Sequence, residues 1–299
     1  MPTVIRYDRM RTSVRRGIIA LACLSVSLSA IFARYAETPS MTLVFYRMLF
    51  ASLLMIPFVV WRCRSELKGL RASDALWCIV SGIALALHFY TFFESLNHTS
   101  VASSLVLVDT SVFFVAFIML FLFRERIPKA GWAAMALTFL GSVVISMDDF
   151  AGGALYGDML ALAGSLLFAV YAVIGRRERA GMSALTYTFI VYVSAAVTAL
   201  ILTETTGVGI AGTDADGLLC ALGMAVFCTL LGHSVFSWGL KYEKASFIAV
   251  TSLLEPVFGS ILALILFSEN PSVTVLIGSI TVLVGVYIFS ANTEPEKAH

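Results

Sequence analysis

Five ionisable side chains lie within long apolar stretches of the sequence: Arg47, His88, Asp109, His233 and Glu255. A charge at the centre of a bilayer costs from about 3 to more than 10 kcal/mol, so such a residue normally faces a cavity or a partner. We expect these five residues to line or gate a central cavity. Arg47 is expected close to Asp109, as an ion pair or as an anchor for a ligand carboxylate. The alternative is that the five are packing pairs between helices.

The histidines and Glu255 allow two further interpretations. For His88 and His233 the alternative to a ligand-facing role is a neutral, hydrogen-bonded ring. Glu255 precedes Pro256, and a proline within a helix leaves a carbonyl without its backbone donor. We therefore treat His233 and Glu255 as candidates for coupling or gating, including proton exchange at Glu255. A helix kink beside a hydrogen-bonded acid is the alternative.

Aromatic side chains are concentrated where a flat apolar solute could stack. Tyr90 is the first candidate, because it is two residues from His88 and its hydroxyl needs a partner when buried. Tyr187 and Trp238 are the other two candidates, although Trp238 also suits an anchor at the membrane interface. Most of the remaining aromatic residues are expected to contact lipid or other helices.

The sequence contains no P-loop, H-E-x-x-H, G-x-S-x-G or metal-binding pattern, so the machinery of an ATP-driven pump or a membrane hydrolase is missing. The five cysteines are scattered, without a C-x-x-C pair. We expect no enzyme activity, no catalytic residues, no cofactor and no metal. A net charge of +1 offers nothing for a nucleic acid, so the expected partners are a small solute and the lipid bilayer.

Composition places these residues in a membrane protein. Of 299 residues, 59% are hydrophobic and only 13% are charged, whereas a soluble domain carries about 25% charged residues. A bilayer span takes about 20 apolar residues. The apolar stretches predict an all-α polytopic protein with ten transmembrane helices, at 17–36, 41–61, 73–96, 101–123, 129–148, 154–175, 183–203, 215–239, 245–267 and 271–290.

The basic residues predict the orientation of these helices. Eighteen of the 20 Lys and Arg lie in the N-terminal tail, the even-numbered loops and the C-terminal tail. Because Lys and Arg are retained on the cytoplasmic side, both termini are expected in the cytoplasm. The other two are Arg34, near a helix end, and Arg47, the one basic residue deep in a helix.

The chain also repeats itself. Leu96 aligns with Leu240, Glu125 with Glu269, Pro128 with Pro271 and Gly141 with Gly285, at spacings of 143–144 residues. We therefore expect two five-helix units, 1–150 with the N-terminal tail and 151–299 with the C-terminal tail. Five is odd, so the second unit must cross the membrane in the opposite sense. Inverted repeats are a device of secondary transporters, whose halves exchange conformations around a central site.

Several segments carry a resemblance to a known family: VFYRMLFAS around Arg47, the joins SLNHTSVASS and GLKYEKASF, the segment LLEPVF, and the acidic ends RERIP and SENP. In these the chain resembles the drug/metabolite transporter superfamily, and within it the ten-helix exporters with two EamA-type repeats. Its aromatic-rich helices resemble the bacterial aromatic amino acid exporter group. Asp109-Thr110 departs from the apolar or proline-containing stretch that is commoner in the family.

The resemblance implies a bacterial inner-membrane exporter of small amphiphilic solutes, chiefly aromatic and other apolar amino acids, working by alternating access. Transport of nucleotide sugars or phosphorylated metabolites is an alternative that would need several basic residues at the site, and only Arg47 is deep enough. A channel or a membrane receptor is the other alternative. The residues leave the oligomeric state open, and a monomer is compatible with them.

Overall fold

A computed structural model describes residues 10–99, 101–147, 155–267 and 270–293. Every regular element within these ranges is helical. The described residues form fourteen α-helices and one π-helical segment: α1 (Thr12–Tyr35), α2 (Ser40–Arg62), α3 (Arg64–Lys68), α4 (Ala72–His98), α5 (Val101–Asp109), α6 (Ser111–Phe123), α7 (Lys129–Ser146), α8 (Leu155–Glu178), α9 (Ala184–Thr205), α10 (Ala215–Gly223), the π segment (Met224–His233), α11 (Ser234–Gly239), α12 (Ala245–Ser252), α13 (Glu255–Phe267) and α14 (Val273–Asn292).

The expected all-α membrane architecture is confirmed. Nine helical segments of the described chain are long and apolar enough to cross a bilayer, and α7, at the fifth predicted position, is a shorter apolar helix. Large apolar side chains such as Phe121, Ile265 and Tyr287 are 79%, 69% and 74% exposed. Exposure on this scale suits a surface that faces lipid rather than water.

The first helix begins earlier than predicted. It starts at Thr12 rather than at residue 17, so Arg15 and Arg16 belong to its first turns. Both arginines find a carboxylate, Glu243, in the loop between α11 and α12. Because their charges are paired, Arg15 and Arg16 can lie within the helix, although the apolar pattern alone does not include them. The short helix α3 is a second element that was not predicted.

Two of the predicted membrane helices are broken near their middle. Between α5 and α6, the hydroxyl of Thr110 donates to the carbonyl of Leu107 at 2.5 Å, a local bond that competes with the helix ladder. Between α12 and α13, Leu253 and Leu254 form turns. Pro256 has no backbone N–H, and the carbonyl of Ser252, four residues earlier, instead accepts from the Cys23 thiol at 3.5 Å.

The predicted helix 215–239 is also irregular. Its middle ten residues, Met224–His233, form a π-helix between α10 and α11. Such widened turns are rare and occur often at functional sites. No residue pattern in the sequence indicated this change, which rotates His233 and Thr229 relative to their positions in a continuous α-helix.

The helices pack with two-fold regularity. α7 lies along α14, and α2 lies along α9. α4 packs on α8, and the corresponding π segment packs on α1; α5 and α6 pack on α8, as α12 and α13 pack on α1. Exchanging each helix for the one at the same place in the other half preserves these contacts.

The α7–α14 contact shows this regularity at single residues. A Cβ atom on Gly141 would lie 2.8 Å from the backbone nitrogen of Val282, and one on Gly285 would lie 2.9 Å from that of Thr138. Gly141 and Gly285 are equivalent at a spacing of 144 residues, as are Thr138 and Val282. The two helices approach backbone to backbone because both contact positions are glycine.

Candidate functional site: a central cavity

A cavity lies where the broken helices meet α1, α4, α8 and the π segment. Its volume, measured as the space open to the centre of a water molecule, is about 40 Å³. This is room for roughly three waters. Four of the five ionisable residues singled out above are on its wall, among aromatic, aliphatic and hydroxyl side chains. The lining residues are Val26, Ser29, His88, Phe89, Phe92, Leu105, Val108, Asp109, Ser111, Phe168, His233, Phe236, Ser252 and Glu255.

The two carboxylates flank the two helix breaks. Asp109 is the last residue of α5, and one of its oxygens accepts from the Ser142 hydroxyl at 2.5 Å. Glu255 is the first residue of α13. No contact among the described residues engages the Glu255 carboxylate in a hydrogen bond or ion pair. The Asp109-Thr110 departure from the family pattern therefore lies at the break and supplies a cavity carboxylate.

The two histidines share their aromatic neighbours. His88 lies 5.1 Å from the Phe89 ring and 5.2 Å from that of Phe168, measured between centroids, and its Nδ1 donates to the carbonyl of Gly164 at 2.9 Å. His233 meets Phe89 edge-on at 5.1 Å and Phe168 at 6.4 Å. The Nδ1 atom of His233 is buried and has no hydrogen-bond partner in the described part of the chain. A ligand could supply that partner.

Arg47 lies directly behind the cavity wall and is fully buried. Its Nε donates to the Thr229 hydroxyl at 2.8 Å, and its Nη1 donates to Ser29 at 3.0 Å. The guanidinium carbon lies 3.9 Å from the centroid of the Phe89 ring. Nη2 has no partner among the described residues.

The expected ion pair between Arg47 and Asp109 is not formed among the described contacts. The π segment brings Thr229 to Arg47, and two hydroxyls and an aromatic face replace the carboxylate as the environment of the charge. Cation–π contact with a desolvated ring is worth about 2 kcal/mol. The arginine is thus held without using either cavity carboxylate.

The three aromatic candidates lie away from the lining. Tyr187 is fully buried between helices, with its hydroxyl 2.7 Å from that of Ser81. Trp238 packs on Tyr242, with ring centroids 5.3 Å apart, and Tyr90 is half-buried at the edge of the core. The cavity rings are instead Phe89, Phe92, Phe168 and Phe236.

Sequence reasoning missed several residues at the site. Ser29 and Thr229, which hold Arg47, are small hydroxyl residues of the type used throughout helix packing, so their spacing carries no signal. Phe168 is one of many phenylalanines in apolar helices. Ser252 is the one for which a signal existed, because it stands four residues before Pro256 and its carbonyl must find another donor.

Comparison with known proteins shows what this architecture belongs to. The EamA-like transporter family matches the chain twice, at residues 17–147 and 155–291. An uncharacterized transporter of Archaeoglobus fulgidus is 28% identical over 287 residues, covering 92% of this chain and 96% of that protein. The pseudopaline exporter CntI of Pseudomonas aeruginosa is 25% identical, covering 95% and 97%. The S-adenosylmethionine uptake transporter of Rickettsia bellii is 24% identical, covering 92% and 93%.

A protein of known crystal structure has the same fold, with a TM-score of 0.76, coverage of 95% of this chain and 99% of that chain, and 19% identity. At that identity the likeness shows the fold alone. The two family matches account for nearly the whole chain, and the relatives are transporters rather than enzymes. The chain therefore belongs to the EamA-like transporter family and is a multi-pass membrane transporter with two EamA repeats.

Proposed function

We propose that this transporter exports small amphiphilic amino acids, aromatic and other apolar ones, by alternating access across a bacterial inner membrane, with both termini in the cytoplasm. One observation carries the proposal. Asp109, Glu255, His88 and His233 meet four phenylalanine rings in a single cavity between the two halves. This wall combines charged or polar groups with flat apolar surfaces, as an aromatic amino acid does.

Each part of such a substrate has a matching group. The carboxylates of Asp109 and Glu255 suit an ammonium group. The substrate ring can stack on Phe89, Phe92, Phe168 or Phe236. The substrate carboxylate suits the unpartnered Nδ1 of His233, with the positive charge of Arg47 one layer behind.

The two-fold arrangement supports alternating access. The two halves make equivalent contacts, and each contributes one broken helix with a carboxylate at the break. Helices broken at mid-membrane form the substrate sites of inverted-repeat transporters. The cavity has room for only about three waters in this conformation, so substrate enters and leaves when one side of the bundle opens.

The rival substrates fit the cavity less well. A nucleotide sugar or phosphorylated metabolite needs cations around its phosphates, and the described lining contains no Arg or Lys. The direction of transport rests on the resemblance to the aromatic amino acid exporters, because the named relatives include both an exporter and an uptake transporter. Counterflow separates a carrier from a channel, since a channel shows none.

The proposal is tested by counterflow into proteoliposomes preloaded with each unlabelled compound. The panel contains phenylalanine, phenethylamine, which lacks the carboxylate, 3-phenylpropionate, which lacks the ammonium group, and UDP-glucose. We expect saturable counterflow of phenylalanine, weaker counterflow of phenethylamine and none of the two anions. Counterflow of UDP-glucose without phenylalanine would overturn the proposed substrate class, and absence of counterflow for all four would overturn it as well.

A further inference from the structure

Three carboxylates join the two halves of the molecule on one face. They are Glu66, Glu125 and Glu243, and we refer to them as the acidic seal. Each lies at the face that carries most of the arginines and lysines, here the basic face, and each binds a residue of the opposite half. A transporter that opens on this face must break these contacts.

Glu243 is the most enclosed member of the seal. Its side chain is fully buried and lies 3.4 Å from Arg15 Nη2 and 2.9 Å from Arg16 Nε. Arg16 also donates to the carbonyls of Ser290 and Thr293 at the end of α14. One carboxylate and two arginines thereby tie the start of α1 to the α11–α12 loop and to α14.

Glu66 caps a helix of the other half. It lies in α3, and its carboxylate accepts from the backbone N–H of Ser183 at 2.6 Å and from the hydroxyls of Ser183 and Thr186 at 2.5 Å each. These groups form the N-terminal end of α9, where a negative charge is favoured. Burial raises the pKa of Glu66, but the hydrogen bonds lower it by more, so the pKa lies below its ordinary value.

Glu125 completes the seal by accepting from the hydroxyl of Ser246. Ser246 is in the first turn of α12, the helix that ends at the cavity residue Ser252. The Glu125 contact thus links the α6–α7 connection to a helix that reaches the cavity wall. Movement of α12 away from Glu125 would alter both the face and the cavity.

Among the described residues, the corresponding places on the opposite face carry fewer charged contacts. There Thr99, which corresponds to Glu243 at the spacing of 144 residues, joins Asp158 near the start of α8 through a single hydrogen bond of 2.8 Å. Near the start of α2, which is equivalent to that of α9, the described hydrogen bonds to the other half go to backbone carbonyls, from Thr42 to Gly209 and from Tyr46 to Ile210. Glu269, equivalent to Glu125, lies outside the described residues.

We propose that the acidic seal makes opening toward the basic face the less favourable half of the conformational cycle, and that its residues position the halves rather than touch substrate. Hydrogen bonds with one charged partner are about twice as strong as neutral ones. The described contacts of the basic face include an ion triad and a carboxylate that accepts three hydrogen bonds. Those of the opposite face are one bond to the Asp158 carboxylate and two bonds from hydroxyls to backbone carbonyls. The inference rests on alternating access in the proposed function and is independent of the substrate.

The experiment measures access to the cavity from each face without substrate. The five native cysteines are replaced, and Ser252→Cys places one thiol on the cavity wall. A small charged methanethiosulfonate reagent is applied to right-side-out and inside-out vesicles. Glu243→Gln and Glu66→Gln test the seal, and Asp158→Asn tests the opposite face. Asp74→Asn is the matched control, because Asp74 lies on the basic face but pairs with Arg71 within its own half.

We expect Glu243→Gln to raise the labelling rate from the basic face about tenfold and to lower it from the opposite face. Glu66→Gln should act in the same direction, Asp158→Asn should raise labelling from the opposite face by less, and Asp74→Asn should leave both rates unchanged. If Glu243→Gln fails to fold, the labelling rates of Glu66→Gln test the inference instead, because the Glu66 side chain is at the surface.

Two results would overturn the inference: both seal variants behaving like Asp74→Asn, or Asp158→Asn opening its face as much as Glu243→Gln opens the basic face. The proposed function is judged separately. If the labelling rates shift but no amino acid shows counterflow, the proposed substrate class is wrong and the role of the acidic seal is retained. If counterflow is found but the labelling rates do not shift, the role of the seal is wrong and the proposed substrate class is retained.

Discussion

The guanidinium carbon of Arg47 lies 3.9 Å from the centroid of the Phe89 ring, and the same ring meets His233 edge-on at 5.1 Å. Phe89 therefore separates the buried charge from the cavity while remaining in contact with both. An anionic group in the cavity would be attracted by the positive charge of Arg47 across one aromatic side chain. This relationship makes Arg47 an electrostatic support of the site rather than part of its wall.

Arg47→Lys should reduce phenylalanine counterflow by about tenfold or more, the scale of losing one hydrogen bond from a charged donor. Lysine cannot reproduce the planar contact with Phe89 or the two directed bonds to Thr229 and Ser29. Initial rates in proteoliposomes check this, with Arg62→Lys at the exposed end of α2 as the matched control. If Arg47→Lys transports as fast as Arg62→Lys, the electrostatic role of Arg47 at the site is contradicted.

Glu255→Gln should abolish the response of transport to a pH gradient while leaving counterflow measurable. The carboxyl is unengaged by the described residues and lines the cavity, so it can exchange a proton, whereas the amide cannot. Transport with and without an imposed gradient is compared for the variant, for the parent and for Glu204→Gln at the C-terminal end of α9. Gradient-driven transport that persists in Glu255→Gln excludes coupling through this residue.

Gly285→Ala should destabilise the protein by about 1–3 kcal/mol, the cost of overpacking a close contact. Its new methyl group would lie 2.2 Å from the Thr138 hydroxyl oxygen and 2.9 Å from the Thr138 backbone nitrogen. Thermal unfolding in detergent checks this, and Gly259→Ala is the control because nothing lies within 4 Å of its added carbon. Equal midpoints for the two variants would contradict the close α7–α14 contact.

The contribution of Glu66 should depend on pH with a defined sign. Its folded-state pKa lies below the ordinary value of 4.5, so its stabilising effect is present above that value and is lost as the pH falls through the lower, folded-state value. Wild-type protein should therefore unfold at a higher temperature than Glu66→Gln at pH 7, and the two curves should converge in strong acid. A difference that grew as the pH fell would contradict this sign.

The residues that could be predicted from the sequence are those whose type conflicts with their surroundings. His88, Asp109, His233 and Glu255 stood out because polar groups are costly within apolar helices, and all four line one cavity. The spacing of 144 residues marks Gly141 and Gly285 as repeat-equivalent positions, and in the structure both lie at close contacts between α7 and α14.

The other features of the site depend on contacts between residues that are distant in the sequence, and no local sequence pattern indicates such contacts. The partners of Arg47 come from a π segment and from α1, and neither Thr229 nor Ser29 differs in type from ordinary packing residues. Tyr90, Tyr187 and Trp238 have the right chemistry but lie outside the cavity lining. The early start of α1 depends on Glu243, which is more than 220 residues away in the sequence.

The most direct test of the central claim is phenylalanine counterflow measured side by side for the wild type and for the double variant Asp109→Asn, Glu255→Gln. We predict saturable counterflow in the wild type that unlabelled tyrosine inhibits, and near-complete loss of counterflow in the double variant with its folding and yield retained. Equal counterflow in both proteins, or none in the wild type, would contradict the claim that this cavity carries aromatic amino acids.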